Sequence, residues 1–488
     1  MGVCPDAATT IRLNRLLPDL RLVGATDVKI TGCRRHARRI GPGDLYVVTL
    51  GPGPKRDAAV REAVKRGCAA VLADSPLGDL PVPVCYVQDA KAAFGEVAQA
   101  IRGYPARKLH LVGVAGSFGK TTTACLIARI LGEAGHGVGM LGTLGYFDGE
   151  NSSTATQSTP DPDELADRLA RMVASGCTHA VLELSATGLA DKRPAGLSFQ
   201  AVAVTNQWAG PGRADAVPID ALQYMAPDGC AVLNVDDAAC RAAVTRAAKP
   251  ALTVGLNDSA DIQGREISRE LSEETFFLTA GSETFPVQTK LFGRHHIRNC
   301  LVAAGVGLAT GVPIEAVVKG LEAVTPLPGR MQPVICGQPF SVFVDAAADS
   351  HTLDAVLSTL RPLVTGRLIC VSRPPIRRAD DAAWMRVLEE RTDMAVLTTG
   401  DPAHEDFSAL IDRVEKHIYT PARYQRIANR TEAIAWTLHQ AQQNDCVLIA
   451  GNGHRLWQPR LHDPLRVDDY QLARQWLYQE FEHAFPSP

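Results

Sequence analysis

Residues 111–124, LVGVAGSFGKTTTA, constrain the chain more than any other stretch: a short apolar run enters a glycine-rich turn, and Gly119-Lys120-Thr121 opens a helical pattern. Glycines at 113, 116 and 119 let the backbone turn tightly and approach a bulky anion without interference from a Cβ. Successive N–H groups then face one concavity, with the positive end of the following helix beneath it. In such a loop Lys120 reaches the β- and γ-phosphates of a nucleotide, and the Thr121 hydroxyl coordinates Mg²⁺. Gly116, Ser117, Gly119, Lys120, Thr121 and Thr122 are therefore the expected phosphate-binding residues. The spacing is G-x-x-G-x-x-G-K-T-T rather than the usual Walker A, since Val114 stands five residues before Gly119. A plain strand-to-helix turn with an exposed lysine is the competing interpretation.

At 488 residues the chain exceeds one ordinary domain, and a length prior gives about three. With 46% hydrophobic and 21% charged residues, each unit can bury a core. A net charge of −3 argues against nucleic acid or an anionic membrane as the main partner. The basic block Arg34, Arg35, Arg38 and Arg39 is the one local exception. Twelve cysteines are scattered singly, without a C-x-x-C pair or zinc spacing, as in a reduced protein. The first residues, MGVCPDAATTIRLNRLL, lack an apolar stretch of signal-peptide length, and nowhere do about 18 apolar residues run together. A cytoplasmic location without membrane insertion is expected.

Three α/β stretches follow from the patterning. Residues 1–105 alternate short strands (DVKITG, GDLYVVTL, AAVLAD) with helices over DAAVREAVKRG and DAKAAFGEVAQAIRGY, and Tyr104–Lys108 reads as a linker. Residues 106–330 carry apolar runs LHLVGVAG, VGMLGTLGYF, HAVLELSA, QAVAVTN, CAVLNVDD and ALTVGL, with amphipathic helices among them. Such a pattern predicts a doubly wound parallel sheet covered on both faces. TFFLTAGSETFPVQTKLFG predicts a β-hairpin, and two helices close the unit. Residues 331–488 repeat the alternation with SVFVDAA, RLICVSR, MAVLTTG and DCVLIAG as strands. In such sheets ligands sit beyond the strand carboxyl ends. Glu183 and Asp345 fall there.

Three α/β units with a G-K-T-T-T loop opening the middle one resemble the Mur ligase family, and within it the ligases that add the third amino acid to UDP-N-acetylmuramoyl-dipeptide. The resemblance runs nearly the whole length, most clearly through 113–146, 158–206, 293–331 and 344–371. It implies an α/β fold of three domains: a UDP-sugar-binding first domain, a central P-loop sheet and a Rossmann-like C-terminal domain. It further implies that ATP converts a substrate carboxylate into an acyl phosphate, which an amine then attacks. ATP and Mg²⁺ are the implied cofactors, with a UDP-muramoyl peptide and an amino acid as substrates, and a monomer is expected. Carried across by position, Lys120 and Glu183 are the catalytic candidates, and Thr121 with Glu183 would hold Mg²⁺. Asn299, Arg330 and Asp345 would contact the nucleotide, and Thr159, Ser185 and Arg193 would hold the muramoyl peptide. Thr159, Ser185 and Arg193 could equally be ordinary caps or surface residues, Glu183 a solvated carboxylate on a loop, and Asn299 a helix residue bonded to a neighbouring turn.

The departures concentrate where chemistry is expected. Relatives carry a carbamate-modified lysine some fifteen to twenty residues beyond the strand matching AVAVTN, bridging to a second Mg²⁺, yet no lysine lies between Lys192 and Lys249. The Asp-His-Leu-Asp stretch after Thr205-Asn206 is Gln-Trp-Ala-Gly-Pro-Gly-Arg213. The loop asparagine is Phe118, and Tyr-Ala-His is Ala346-Ala347-Ala348. Gly-Asp-Arg-Asp has become the stretch Ser372–Arg378, and Asp-Asn-Pro-Arg reads Gly400-Asp401-Pro402-Ala403. Gly-Lys-Gly-His-Glu reads Gly451-Asn452-Gly453-His454-Arg455, and the uridine-site Asp-Ser-Arg reads His36-Ala37-Arg38. Two functions fit: a ligase with altered or impaired chemistry, or a non-ligating relative that binds ATP or the UDP-muramoyl peptide and regulates or scaffolds cell-wall synthesis.

Overall fold

Alternating apolar strands and amphipathic helices build an eleven-stranded central sheet, with strands between His110 and Thr289. The computed structural model describes residues 10–208, 218–245, 250–256, 260–271, 273–401, 406–456 and 468–481. From Val138–Gly142 through His179–Leu184, His110–Ala115, Phe199–Val204, Met225–Asn234 and Ala251–Gly255 to Ile262–Arg269, neighbouring strands run parallel. Antiparallel ribbons finish both edges.

Side chains alternate across each strand and fill two apolar layers. Val112 and Val114 join Ile127, Ile130 and Leu301 on one face. Leu111 and Ala115 join Leu165, Leu169 and Phe199 on the other. Helix Lys120–Glu133 buries Leu126, Ile127, Ile130 and Leu131 completely, worth about 1.5–3 kcal/mol per side chain. That burial fixes the helix beneath the phosphate loop.

A five-stranded sheet with strands between Arg21 and Tyr86 precedes the central one, and a six-stranded sheet with strands between Gln332 and Ala450 follows it. The first packs on the centre through helix Ala90–Ile101, capped by Asp89 accepting from Ala92 N at 2.9 Å. Gly95 in that helix is obligatory, because an added Cβ would overlap the Ala195 carbonyl of the central unit. Pro105–Lys108, read as a linker, is a 3₁₀ turn with Pro105 and Ala106 buried.

Two local expectations are corrected. VGMLGTLGYF is not one strand but a hairpin, Val138–Gly142 paired antiparallel with Gly145–Phe147, because Gly145 takes a positive φ of 148° and reverses the chain. Gly113 lies within the strand His110–Ala115 rather than in the turn, and its missing Cβ makes room for Leu184 and Phe199. No described helix is long and apolar enough to cross a membrane.

In the third sheet unit a fully buried arginine ties several elements together. Arg430 donates to both Asp469 oxygens at 2.8 and 2.7 Å, and to the carbonyls of Ala450 at 2.9 Å and Thr399 at 3.3 Å. The fork thus joins the C-terminal helix Asp469–Phe481 to two strand ends. Near the strand amino ends, His110, His136 and His179 stack at centroid spacings of 4.9 and 4.2 Å. Burial, reinforced by His136 and His110, pushes the His179 ring down to about 4.

Arg430→Met leaves the Asp469 carboxylate buried without its cation, and urea unfolding is expected to register a loss of about 3–5 kcal/mol. The stability tied to neutral His179 is complete above about pH 6.5 and is lost as pH falls towards about 4. His179→Gln should therefore flatten the decline of unfolding free energy across that window by up to about 1.4 kcal/mol per pH unit. An unchanged slope would mean that the folded ring is already protonated.

Candidate active site

Gly116 and Gly119 take φ values of 152° and 81°, which side chains at those positions would resist. A Cβ on Gly116 would overlap Thr205 Oγ1, and one on Gly119 would overlap Asn299 Oδ1. Gly119 caps helix Lys120–Glu133, whose first internal bond runs from Thr123 N to Gly119 O at 2.9 Å. First-turn N–H groups lack intrahelical acceptors, which suits them to an anion. The Lys120 ammonium folds over the loop and donates to Gly116 O at 2.7 Å and Ser117 O at 3.2 Å.

Glu183 pairs in register with Val114 and projects on the face that carries the loop helix. Only 2% exposed, its carboxylate accepts from Thr143 N at 2.8 Å, Thr143 Oγ1 at 2.8 Å and Thr121 Oγ1 at 3.2 Å. These hard oxygen groups suit a magnesium-type cation. Thr143 escaped the sequence reading because its turn is hidden inside an apolar run; Gly142 and Gly145 on either side are the signal that could have found it.

The third sheet closes the opposite wall. Arg330, at the junction, donates to Gly329 O at 2.9 Å and to Thr121 Oγ1 at 3.4 Å. Asp345, at the end of the strand Ser341–Asp345, accepts from Met331 N at 2.7 Å and Ala347 N at 2.8 Å. Burial raises its carboxyl above the ordinary range, against the pull of Arg330 and those N–H groups. Ser117, Gly119, Lys120, Thr121, Thr122 and Glu183 line one cavity of about 590 Å³. Ser185, Asn299, Arg330 and Asp345 share it, and Gly116 lies just behind the loop. His295 and His296 also border it, both held neutral by burial, His295 with a value pushed down to about 4.

Phe118 and Trp208, at positions where polar residues are expected, meet His351 of the third sheet unit beside this cavity. The Phe118 ring lies 5.1 Å from His351 and 5.7 Å from Trp208, and Trp208 stacks on His351 at 5.4 Å with planes 15° apart. Trp208 leads into residues 209–213, and Pro402 and Ala403 belong to the altered Gly400 stretch; both segments lie outside the described residues.

The three residues expected to hold a muramoyl peptide separate. Ser185 lines the cavity and caps the short helix Ala186–Ala190. Thr159 is buried, its hydroxyl donating to Glu183 O at 2.7 Å and meeting Ser185 Oγ at 3.0 Å. Arg193 turns into a seam with the first unit, donating to Thr159 O at 2.6 Å and pairing with Asp191 at 3.1 Å and Asp161 at 3.5 Å. Arg35 meets the same two carboxylates at 2.7 and 3.0 Å, and His36 meets Asp161 at 3.0 Å. Burial alone would raise Asp191, but bonds from Lys91, Arg35 and Arg193 bring it down to about 2.

Comparison with known proteins agrees with this architecture. The family model for the Mur ligase middle domain matches residues 114–207 and 221–307, and that for the Mur ligase glutamate ligase domain matches 329–453. A UDP-N-acetylmuramoyl-L-alanyl-D-glutamate–2,6-diaminopimelate ligase of Geobacillus kaustophilus is 31% identical over 469 residues, 91% of this chain and 94% of the relative. A solved structure of a ligase with that name superposes with a TM-score of 0.67 at 23% identity, covering 97% of this chain and 99% of the other. The MurF ligase of Thermotoga maritima, solved in complex with ADP, superposes with a TM-score of 0.62 at 15% identity over 93% of this chain and 98% of its own. With a P-loop sheet between two further α/β sheets and near full-length similarity to these ligases, the chain belongs to the Mur ligase family.

Proposed function

We propose that the protein is an ATP- and Mg²⁺-dependent amide-forming ligase acting on a UDP-N-acetylmuramoyl peptide, with its amine specificity redirected. The observation that carries this is the convergence of Lys120, Thr121, Glu183 and Arg330 on one cavity faced by Asp345. When bound, ATP and the cation supply an activated phosphoryl group and neutralise its charge. Thr121 and Glu183 would hold the cation, and the cradle at Gly116 and Gly119 fits phosphate oxygens because a Cβ would fill it. Lys120 neutralises charge on the transferring group, and Arg330 adds a second fixed positive charge from the junction. Asn299 closes over Gly119, and Asp345 orders the junction by accepting from Met331 N.

The relatives' names specify 2,6-diaminopimelate. Here Gly400-Asp401-Pro402-Ala403 stands where the family's Asp-Asn-Pro-Arg motif grips the incoming diamino acid, and the loss of that arginine supports a different amine. Ser185 remains available to the muramoyl peptide, whereas Thr159 and Arg193 shape that wall from behind. The units correspond to residues 1–105, 106–330 and 331–488, in a cytoplasmic monomer.

A second reading, nucleotide binding without ligation, is favoured by two observations. No lysine lies between 192 and 249, and among the described residues no group of three His, Cys, Asp or Glu is arranged to hold a metal. A coupled phosphate-release assay with ATP, Mg²⁺, each muramoyl-peptide acceptor and a panel of amino acids separates the two. Ligation predicts release that needs acceptor and amine together and falls about 10²–10³-fold in Lys120→Ala. Release at the Lys120→Ala level in every combination, with nucleotide affinity intact, would sink the ligase and establish the binding protein.

A further inference from the structure

Among the described residues that border the cavity, the acids are already engaged. Glu183 is held by Thr121 and Thr143, and Asp345 accepts from Met331 N and Ala347 N. Asp236 pairs with Arg298 at 2.8 Å and accepts from Leu256 N at 3.2 Å. Asp237 caps helix Ala238–Val244 and accepts from Gln207 N at 3.2 Å. The arginines and Lys120 that share this wall are hydrogen-bond donors only. His295 and His296 are kept neutral by burial, and both His296 nitrogens are shut away from any solute.

His351 differs from all of these. It borders the cavity, is exposed, and makes no hydrogen bond or ion pair among the described residues. Its backbone is fixed at the start of helix Ser350–Leu360, where Asp349 accepts from Thr352 N at 2.9 Å and Ser350 N donates to Asp380 at 2.7 Å. Its ring is fixed by Phe118 at 5.1 Å with planes 28° apart, and by Trp208 at 5.4 Å with planes 15° apart. Stacking engages the faces of an imidazole and leaves the edge, with both nitrogens, free to bond. Phe118 immediately precedes Gly119-Lys120, and Asn206 holds its backbone, so the imidazole stands beside the phosphate loop. The relatives' Tyr-Ala-His reads Ala346-Ala347-Ala348 here, and His351 supplies an imidazole three residues further on.

We propose that His351 is the general base of the amide-forming step, oriented by the Phe118 and Trp208 rings. This rests on the ligase reading of the same cavity. An amine bound as its free base attacks the acyl carbon with its lone pair, and the nitrogen gains positive charge as the C–N bond forms. The proton it must shed passes to a ring nitrogen of His351, while the bond from the acyl carbon to the phosphate oxygen breaks and phosphate leaves with that electron pair. The imidazolium then gives the proton to solvent from the exposed ring. Histidine suits this step because it is the side chain whose charge changes in the neutral range.

The test separates acyl-phosphate formation from amine attack in the full-length protein, with ATP, Mg²⁺ and UDP-N-acetylmuramoyl-L-alanyl-D-glutamate. Hydroxylamine traps the acyl phosphate as a hydroxamate and, being weakly basic, needs no base from the protein, whereas an amino acid does. His351→Phe keeps the ring stack and removes both nitrogens. It should cut phosphate release with the best amino acid of the panel about 10²-fold. Hydroxamate formation, and affinity for a non-hydrolysable ATP analogue by calorimetry, should stay at the wild-type level. His351→Gln, which bonds but takes up no proton at neutral pH, should fall alongside it. Wild-type amino-acid turnover in His351→Phe would overturn the proposal, and so would an equal loss of hydroxamate, which marks a structural role. If the wild type forms no hydroxamate, the ligase reading itself fails. If it forms hydroxamate and His351→Phe is unimpaired, only the role of His351 fails. Hydroxamate without turnover of any amino acid also overturns it, since the ring then has no amine to serve. Should His351→Phe not fold, His351→Gln carries the same comparison.

Discussion

Asn206 clamps the phosphate loop by both polar groups of a single residue. Its Oδ1 accepts from Phe118 N at 3.0 Å, and its Nδ2 donates to Phe118 O at 3.1 Å. Its own carbonyl accepts from Ser117 N at 3.1 Å, and Trp208 N, two residues on, donates to Ser117 Oγ at 3.0 Å. The clamp exists because Val204 pairs in register with Ala115, which delivers Thr205 and Asn206 beside the loop. Asn234, at the end of the next strand, extends the chain of bonds to Thr205 O at 2.8 Å. A one-residue slip of any of these strands would turn its side chains to the other face and dissolve the loop's support. The site is thus a property of sheet register before it is a property of any motif.

Much of this was legible in the sequence because fully buried parallel strands are written as apolar runs. His110–Ala115, His179–Leu184, Phe199–Val204 and Met225–Asn234 each show one. Glu183 and Asp345 stand out for the same reason, as acids terminating such runs. What could not be read is non-local. The seam around Arg193 is built with Arg35, 126 residues from Asp161 and 156 from Asp191. Helix Arg430–Gln440 carries little amphipathic contrast, and its buried Arg430 makes sense only beside Asp469. The half-exposed strand Ile262–Arg269 meets Ala251–Gly255 only at Ile262 and Gln263 and takes the rest of its pairing from Glu274–Ala280.

The departures from the family's motifs are compensated rather than merely absent. Ala346, where relatives carry tyrosine, is small enough for Gly453 to lie against it. His36, in place of an acid, pairs with Asp161, so the first unit is tied to the centre where a uridine contact is expected. Phe118 and Trp208, two substituted positions, lie against each other at 5.7 Å.

The three-ring cluster has a thermodynamic consequence. Phe118 and Trp208 belong to the central unit and His351 to the third, so parting the two units exposes both of the His351 ring contacts. At about 0.5–1.5 kcal/mol per aromatic pair, these two contacts together add about 1–3 kcal/mol to the seating of the third unit on the central one.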